Sequence, residues 1–80
     1  MNSIENSKEL GLAIRAARKR LGATQKDLAM AAGTGLRFII DLEKGKPTCH
    51  LGKALAVVKV VGLRLHTESP VNEAKGEKGP

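Results

Sequence analysis

Four runs of apolar residues at helical spacing, each closed by a glycine, constrain this chain more than any other feature. Leu10, Ile14, Ala17 and Leu21 recur at spacings of 4, 3 and 4 and end at Gly22. Leu28, Ala29 and Ala32 form a shorter stripe before Gly33. Ile39 and Leu42, three apart, precede Lys44 and Gly45, with Pro47 just beyond. Leu51, Ala54, Leu55, Val58 and Val61 run up to Gly62. Apolar residues three and four apart share one side of an α-helix. A glycine such as Gly33 can then take positive φ at no steric cost and turn the chain out of the helix. The expected starts are Ser7 with Glu9 in the first turn, Thr24 with Asp27 three residues on, Thr34, and Thr48. The pattern predicts an all-α domain of four to five short helices.

Phe38 is the one aromatic residue, so the core must be built from Leu, Ile, Val and Ala. An 80-residue chain buries a small share of its surface, and oligomerisation would add to it. Leu63, Arg64, Leu65, His66 and Thr67 alternate apolar and polar, which is a strand signature. A lone strand cannot satisfy its own backbone groups, so it should pair antiparallel with a second copy in a symmetric dimer. Residues 1–6 are expected to form a disordered arm, 7–68 the folded and dimerising domain, and 69–80 a disordered tail with almost no apolar content.

The net charge of +6 is unevenly placed. In the tail Lys75 and Lys78 cancel Glu73 and Glu77, so the 12 basic and 6 acidic residues before it carry the excess. A basic compact body suits a polyanionic partner, nucleic acid first. Other classes find little support. The single cysteine, Cys49, cannot form an internal disulfide, which fits a reducing cytoplasm. Met1 to Lys8 is polar, unlike a signal peptide, and the longest apolar stretch, Ala54 to Leu65, is interrupted by Lys59, Gly62 and Arg64. Cys49, His50 and His66 lack the spacing of a metal set or a nucleophile–base pair. Acidic residues occur singly, and Gly33-Thr34-Gly35 lacks the remainder of a phosphate-cradling loop. No enzyme, cofactor, small-molecule substrate or membrane role is expected.

The segment Thr24 to Thr34 reads as two short helices joined by a tight glycine turn, with small Ala29 where they cross. The run GATQKDLAMAAGTGLRFIIDLEKGKPT resembles the phage-repressor-like helix-turn-helix family, a likeness extending from Leu10 to about Val61. AGTGLRFIIDLEKGKPT, followed by a helix and GLRLHT, is similar to the HipB-type antitoxins. The resemblance implies a lambda-repressor-like fold and a homodimeric repressor whose C-terminal strands pair across the dimer. It further implies a palindromic double-stranded DNA operator and a HipA-type kinase toxin as partner. Gln25 would grip a phosphate with help from the helix 2 N-terminus, within a phosphate set of Thr24, Gln25, Lys26, Lys44 and Lys46. Thr34, Gly35, Leu36, Arg37 and Ile40 would face base edges, with Arg37 donating to O6 and N7 of a guanine or else to a phosphate. Leu36 and Ile40 would touch thymine methyls or simply pack; relatives more often place polar residues there. Arg18 would pair with Glu43 and brace helix 1. Two other readings stay open: a stand-alone phage-type or host regulator, and a protein-interaction module whose DNA binding has decayed.

Overall fold

A computed structural model of the chain describes residues 3–67. The tail expected over 69–80 lies outside the described residues, as do 1–2 and 68. Four helices appear in order: α1 (Ser7–Arg20), α2 (Gln25–Ala32), α3 (Leu36–Glu43) and α4 (Leu51–Val60). α3 packs on α1 and α2, and α2 packs on α4. Ile14, Ile39 and Val57 are fully enclosed at the centre. Ala17, Leu28, Ala29, Leu42, Ala54, Val58 and Val61 surround them, with Phe38 at the margin.

Each helix ends in the same way. Gly22, Gly33, Gly45 and Gly62 take positive φ, between 73° and 85°. The next residue then donates back to the carbonyl five positions earlier: Ala23 to Arg18, Thr34 to Ala29, Lys46 to Asp41, Leu63 to Val58. These bonds satisfy carbonyls that a helix end would otherwise leave unpaired.

The starts differ from expectation at three helices. Asn6, placed in the arm by its sequence, is the N-cap of α1, its Oδ1 accepting from the Glu9 amide at 2.8 Å. Ser7 is already helical, and its hydroxyl donates to the Gly45 carbonyl at 2.9 Å. Thr34 belongs to the turn that closes α2, so Gly35 is the N-cap of α3. His50, not Thr48, caps α4, its Nδ1 accepting from the Lys53 amide. Only α2 begins as expected: Thr24 Oγ1 accepts from the Asp27 amide and the Asp27 carboxylate accepts from the Thr24 amide.

Two apolar stripes are also corrected. Leu21 is 62% exposed. It lies past the end of α1, and Arg18 occupies the inward position one turn after Ile14. On α4 the inward face is Ala54, Val57, Val58 and Val61, while Leu51 is 70% exposed and Leu55 is also open to solvent. Leu63–Thr67 has no ladder among the described residues. A strand needs a partner, and the described residues of one copy offer none.

α1 and α3 approach at backbone contact. A Cβ on Gly11 would meet the Leu42 carbonyl oxygen at 2.5 Å, and one on Gly45 would meet the Lys8 Cα at 2.5 Å. Both crossings admit only glycine, and they fix the end of α3 against the start of α1.

Candidate nucleic-acid interface

α3 divides its residues sharply. Ile39, Leu42 and Glu43 are buried, Leu36 and Arg37 are exposed, and Ile40 and Asp41 are half-buried. The N-cap Gly35 supplies no side-chain acceptor, so the first-turn amides remain open to an acceptor outside the chain. Gly35 is exposed, with nothing within 4 Å of a Cβ built there. Thr34 is half-buried, its hydroxyl donating to the Gly35 carbonyl. Of the five residues expected at base edges, Gly35, Leu36 and Arg37 are therefore presented outward, and Thr34 and Ile40 only in part.

Arg37, with 78% of its side chain exposed, is held by Asp41 one turn on, at 3.4 Å. The other carboxylate oxygen of Asp41 meets Lys46 Nζ at 3.7 Å. One acid thus ties together a cation on α3 and one in the turn that follows. Sequence reasoning passed over Asp41, although its spacing of four from Arg37 is the signal for such a pair.

A second cluster lies where α1, α2 and α3 meet. Arg18 Nε donates to Glu43 Oε2 at 2.7 Å and Nη2 donates to Oε1 at 3.0 Å, while Nη1 donates to the Ala23 carbonyl. Gln25 Nε2 donates to the same Glu43 Oε1 at 3.1 Å. Burial pushes the Glu43 carboxyl up. The hydrogen bonds from Arg18 and Gln25, with the charges of Arg18 and Arg15, outweigh it and hold the group below its ordinary range. The hydrogen bond to Glu43 raises Arg18 despite the opposing effect of burial, and the charge of Glu43 adds to the rise.

The start of α2 is arranged around that cluster. The Asp27 amide is taken by Thr24, and the Leu28 amide reaches the Thr24 carbonyl. The amides of Gln25 and Lys26 are left for an outside acceptor. Asp27 is held below its ordinary range, first by the Thr24 amide and then by the Thr24 hydroxyl. Lys26 and Lys44 are exposed. The structure places Gln25 and Lys26 at the start of α2, Arg37 in the first turn of α3, and Lys44 and Lys46 in the turn that follows α3. Among the described residues, no group of three His, Cys, Asp or Glu side chains could hold a metal ion. No helix among them is long and apolar enough to cross a membrane.

No family model matches the chain. A curated relative does: the HTH-type transcriptional regulator y4mF of Sinorhizobium fredii is 40% identical over 72 residues, covering 90% of this chain and 95% of that protein. The chain belongs to the helix-turn-helix transcriptional regulators.

Its fold has close counterparts among solved structures. HipB in the HipB-O4 20mer complex superposes with a TM-score of 0.78 at 20% identity, over 89% of this regulator and all of that chain. The HipA-HipB-O2-O3 complex gives 0.79 at 20% identity, again over 89% and 100%. At that identity the likeness is one of fold: α2, the Gly33 turn and α3 form the helix-turn-helix of this regulator.

Proposed function

We propose that the regulator is a homodimeric repressor that lays α3 in the major groove of a palindromic operator, and that it is the antitoxin of a HipA-type kinase toxin whose operon it controls. The observation that carries the DNA reading is the division of α3. Its uncapped start presents Gly35, Leu36 and Arg37, while Gln25, Lys26, Lys44 and Lys46 stand ready for the flanking phosphates. With Nε turned to Asp41, Arg37 keeps both terminal nitrogens for O6 and N7 of a guanine. Leu36, the more exposed of the two apolar residues, suits a thymine methyl better than half-buried Ile40.

Homodimerisation is supported by the apolar side chains that one copy leaves open, Leu51, Leu55 and Leu65, and by the backbone of Arg64 to Thr67, which has no hydrogen-bond partner among the described residues. The toxin partnership is supported by the resemblance in sequence and by a structural counterpart seen in complex with HipA. A site of action on the chromosome places the protein in the cytoplasm, with 7–68 as the working domain and 69–80 as a separate tail.

A stand-alone regulator is the second reading, in line with the Sinorhizobium relative, an HTH-type transcriptional regulator. Anisotropy titrations against the chain's own promoter and a random duplex, at two salt concentrations, test the first claim. A specificity ratio that survives added salt is expected. Equal, salt-labile binding to both duplexes would leave charge without readout. Co-purification of a kinase encoded beside the gene decides between antitoxin and stand-alone regulator.

A further inference from the structure

We infer that Glu43 is a positioning residue for DNA binding: paired with Arg18, its buried carboxylate orients the Gln25 side-chain amide toward a backbone phosphate. The inference rests on the DNA reading above and assigns a task to a residue that touches no DNA.

The argument begins with donors and acceptors. A carboxylate only accepts, so the end of the Gln25 amide facing Glu43 Oε1 at 3.1 Å must be the NH2 end. One hydrogen of that NH2 is used on Glu43, which leaves the second for another acceptor. A phosphate also only accepts. Had the amide been reversed, its oxygen would oppose the carboxylate within and the phosphate outside. Glu43 thus selects the one orientation of a three-torsion side chain that can serve both neighbours, before any DNA arrives.

A carboxylate behind an anion site would normally weaken it. Here Arg18 engages both oxygens, at 2.7 and 3.0 Å, and its side chain is nearly as buried as that of Glu43. The pair is close to neutral at the distance of a phosphate, so Glu43 can orient Gln25 without repelling the ligand. Arg18 also donates to the Ala23 carbonyl, which fixes the chain entering α2 and hence the base from which Gln25 projects.

The test must separate orientation from folding, since removing one member of a buried pair leaves the other unmatched. The pair is therefore replaced together as Arg18→Met with Glu43→Leu, which preserves net charge and apolar volume. The full-length wild type, the pair variant, Gln25→Ala and the triple variant are titrated with a random 20-bp duplex at low salt, their helicity matched by circular dichroism. The pair variant is expected to bind about three- to tenfold more weakly than wild type. In the Gln25→Ala background the same replacement should cost less than about twofold, because the group being oriented is gone. An equal loss in both backgrounds, or no loss in either, overturns the inference while leaving DNA binding intact. Wild-type protein that binds no duplex overturns the DNA reading itself. A DNA-free measurement stands beside these: the two Gln25 side-chain amide proton resonances should move and sharpen toward free-amide values in the pair variant. Unchanged resonances would sink the proposal whatever the titrations give.

Discussion

Arg37 and Glu43 sit six residues apart on one short helix and do opposite things. Arg37 is exposed and tethered by a single weak surface pair, so it contributes little to stability. Arg37→Ala should leave the melting temperature within a degree or two yet cost about 1–3 kcal/mol at the operator and lower the operator-to-random ratio. An unchanged ratio in paired titrations would remove Arg37 from the readout. Glu43 works through the fold. Its folded pKa lies below the ordinary 4.5, so the pair's stabilisation is complete above that value and is lost as pH falls through the depressed one. Denaturant melts from pH 7 to pH 3 should show stability declining on the acid side, with a shallower decline in the Arg18→Met, Glu43→Leu variant. Equal slopes would mean that other carboxylates carry the acid limb. The exposed place of Arg37 was legible from the glycine turn before it, and the Arg18–Glu43 pair from family likeness. The Gln25–Glu43 bond was not, because no local rule joins residues 18 positions apart.

Among the helices, the starts and the crossings were the hardest to read. The Thr24–Asp27 box was plain because both halves lie within four residues. Asn6 and Ser7 are both good caps, and only the Ser7 bond to Gly45, 38 residues away, decides which is helical. α4 is apolar on most sides, so two stripes compete, and Val57 rather than Leu51 or Leu55 turns inward. Gly11 looked like an ordinary helical residue, yet it is where α1 meets the last carbonyls of α3. Alanine there would favour the isolated helix by about 1 kcal/mol. In the protein its Cβ would press on backbone that cannot rotate away. Gly11→Ala should therefore destabilise by about 1–3 kcal/mol net, lowering the melting temperature by about 4–8 °C for each. A neutral or raised melting temperature would show that α1 can slide. Gly35→Ser makes the contrasting case: it adds a capping hydroxyl in open space, so melting should rise slightly or stay level. DNA affinity should nevertheless fall severalfold if the groove approaches that backbone, and titration of the same sample checks it.

For the whole molecule, the expected strand is the part a single chain cannot express. Leu63 is bonded to the end of α4, and in the proposed dimer the alternation beyond it would pair with a second copy. Leu55→Lys with Leu65→Asp changes two exposed side chains and should leave helicity intact while converting the protein to a monomer by sedimentation equilibrium. A dimer that persists would place the interface elsewhere. The division of α3 has one more consequence. Ile39, Leu42 and Glu43 anchor the helix with Phe38 at the core margin, while Gly35, Leu36 and Arg37 are exposed. On the proposed reading of α3, a lineage carrying this scaffold can exchange its genomic address by altering two or three codons at little cost in foldedness. What the protein recognises and whether it folds are inherited as separate traits.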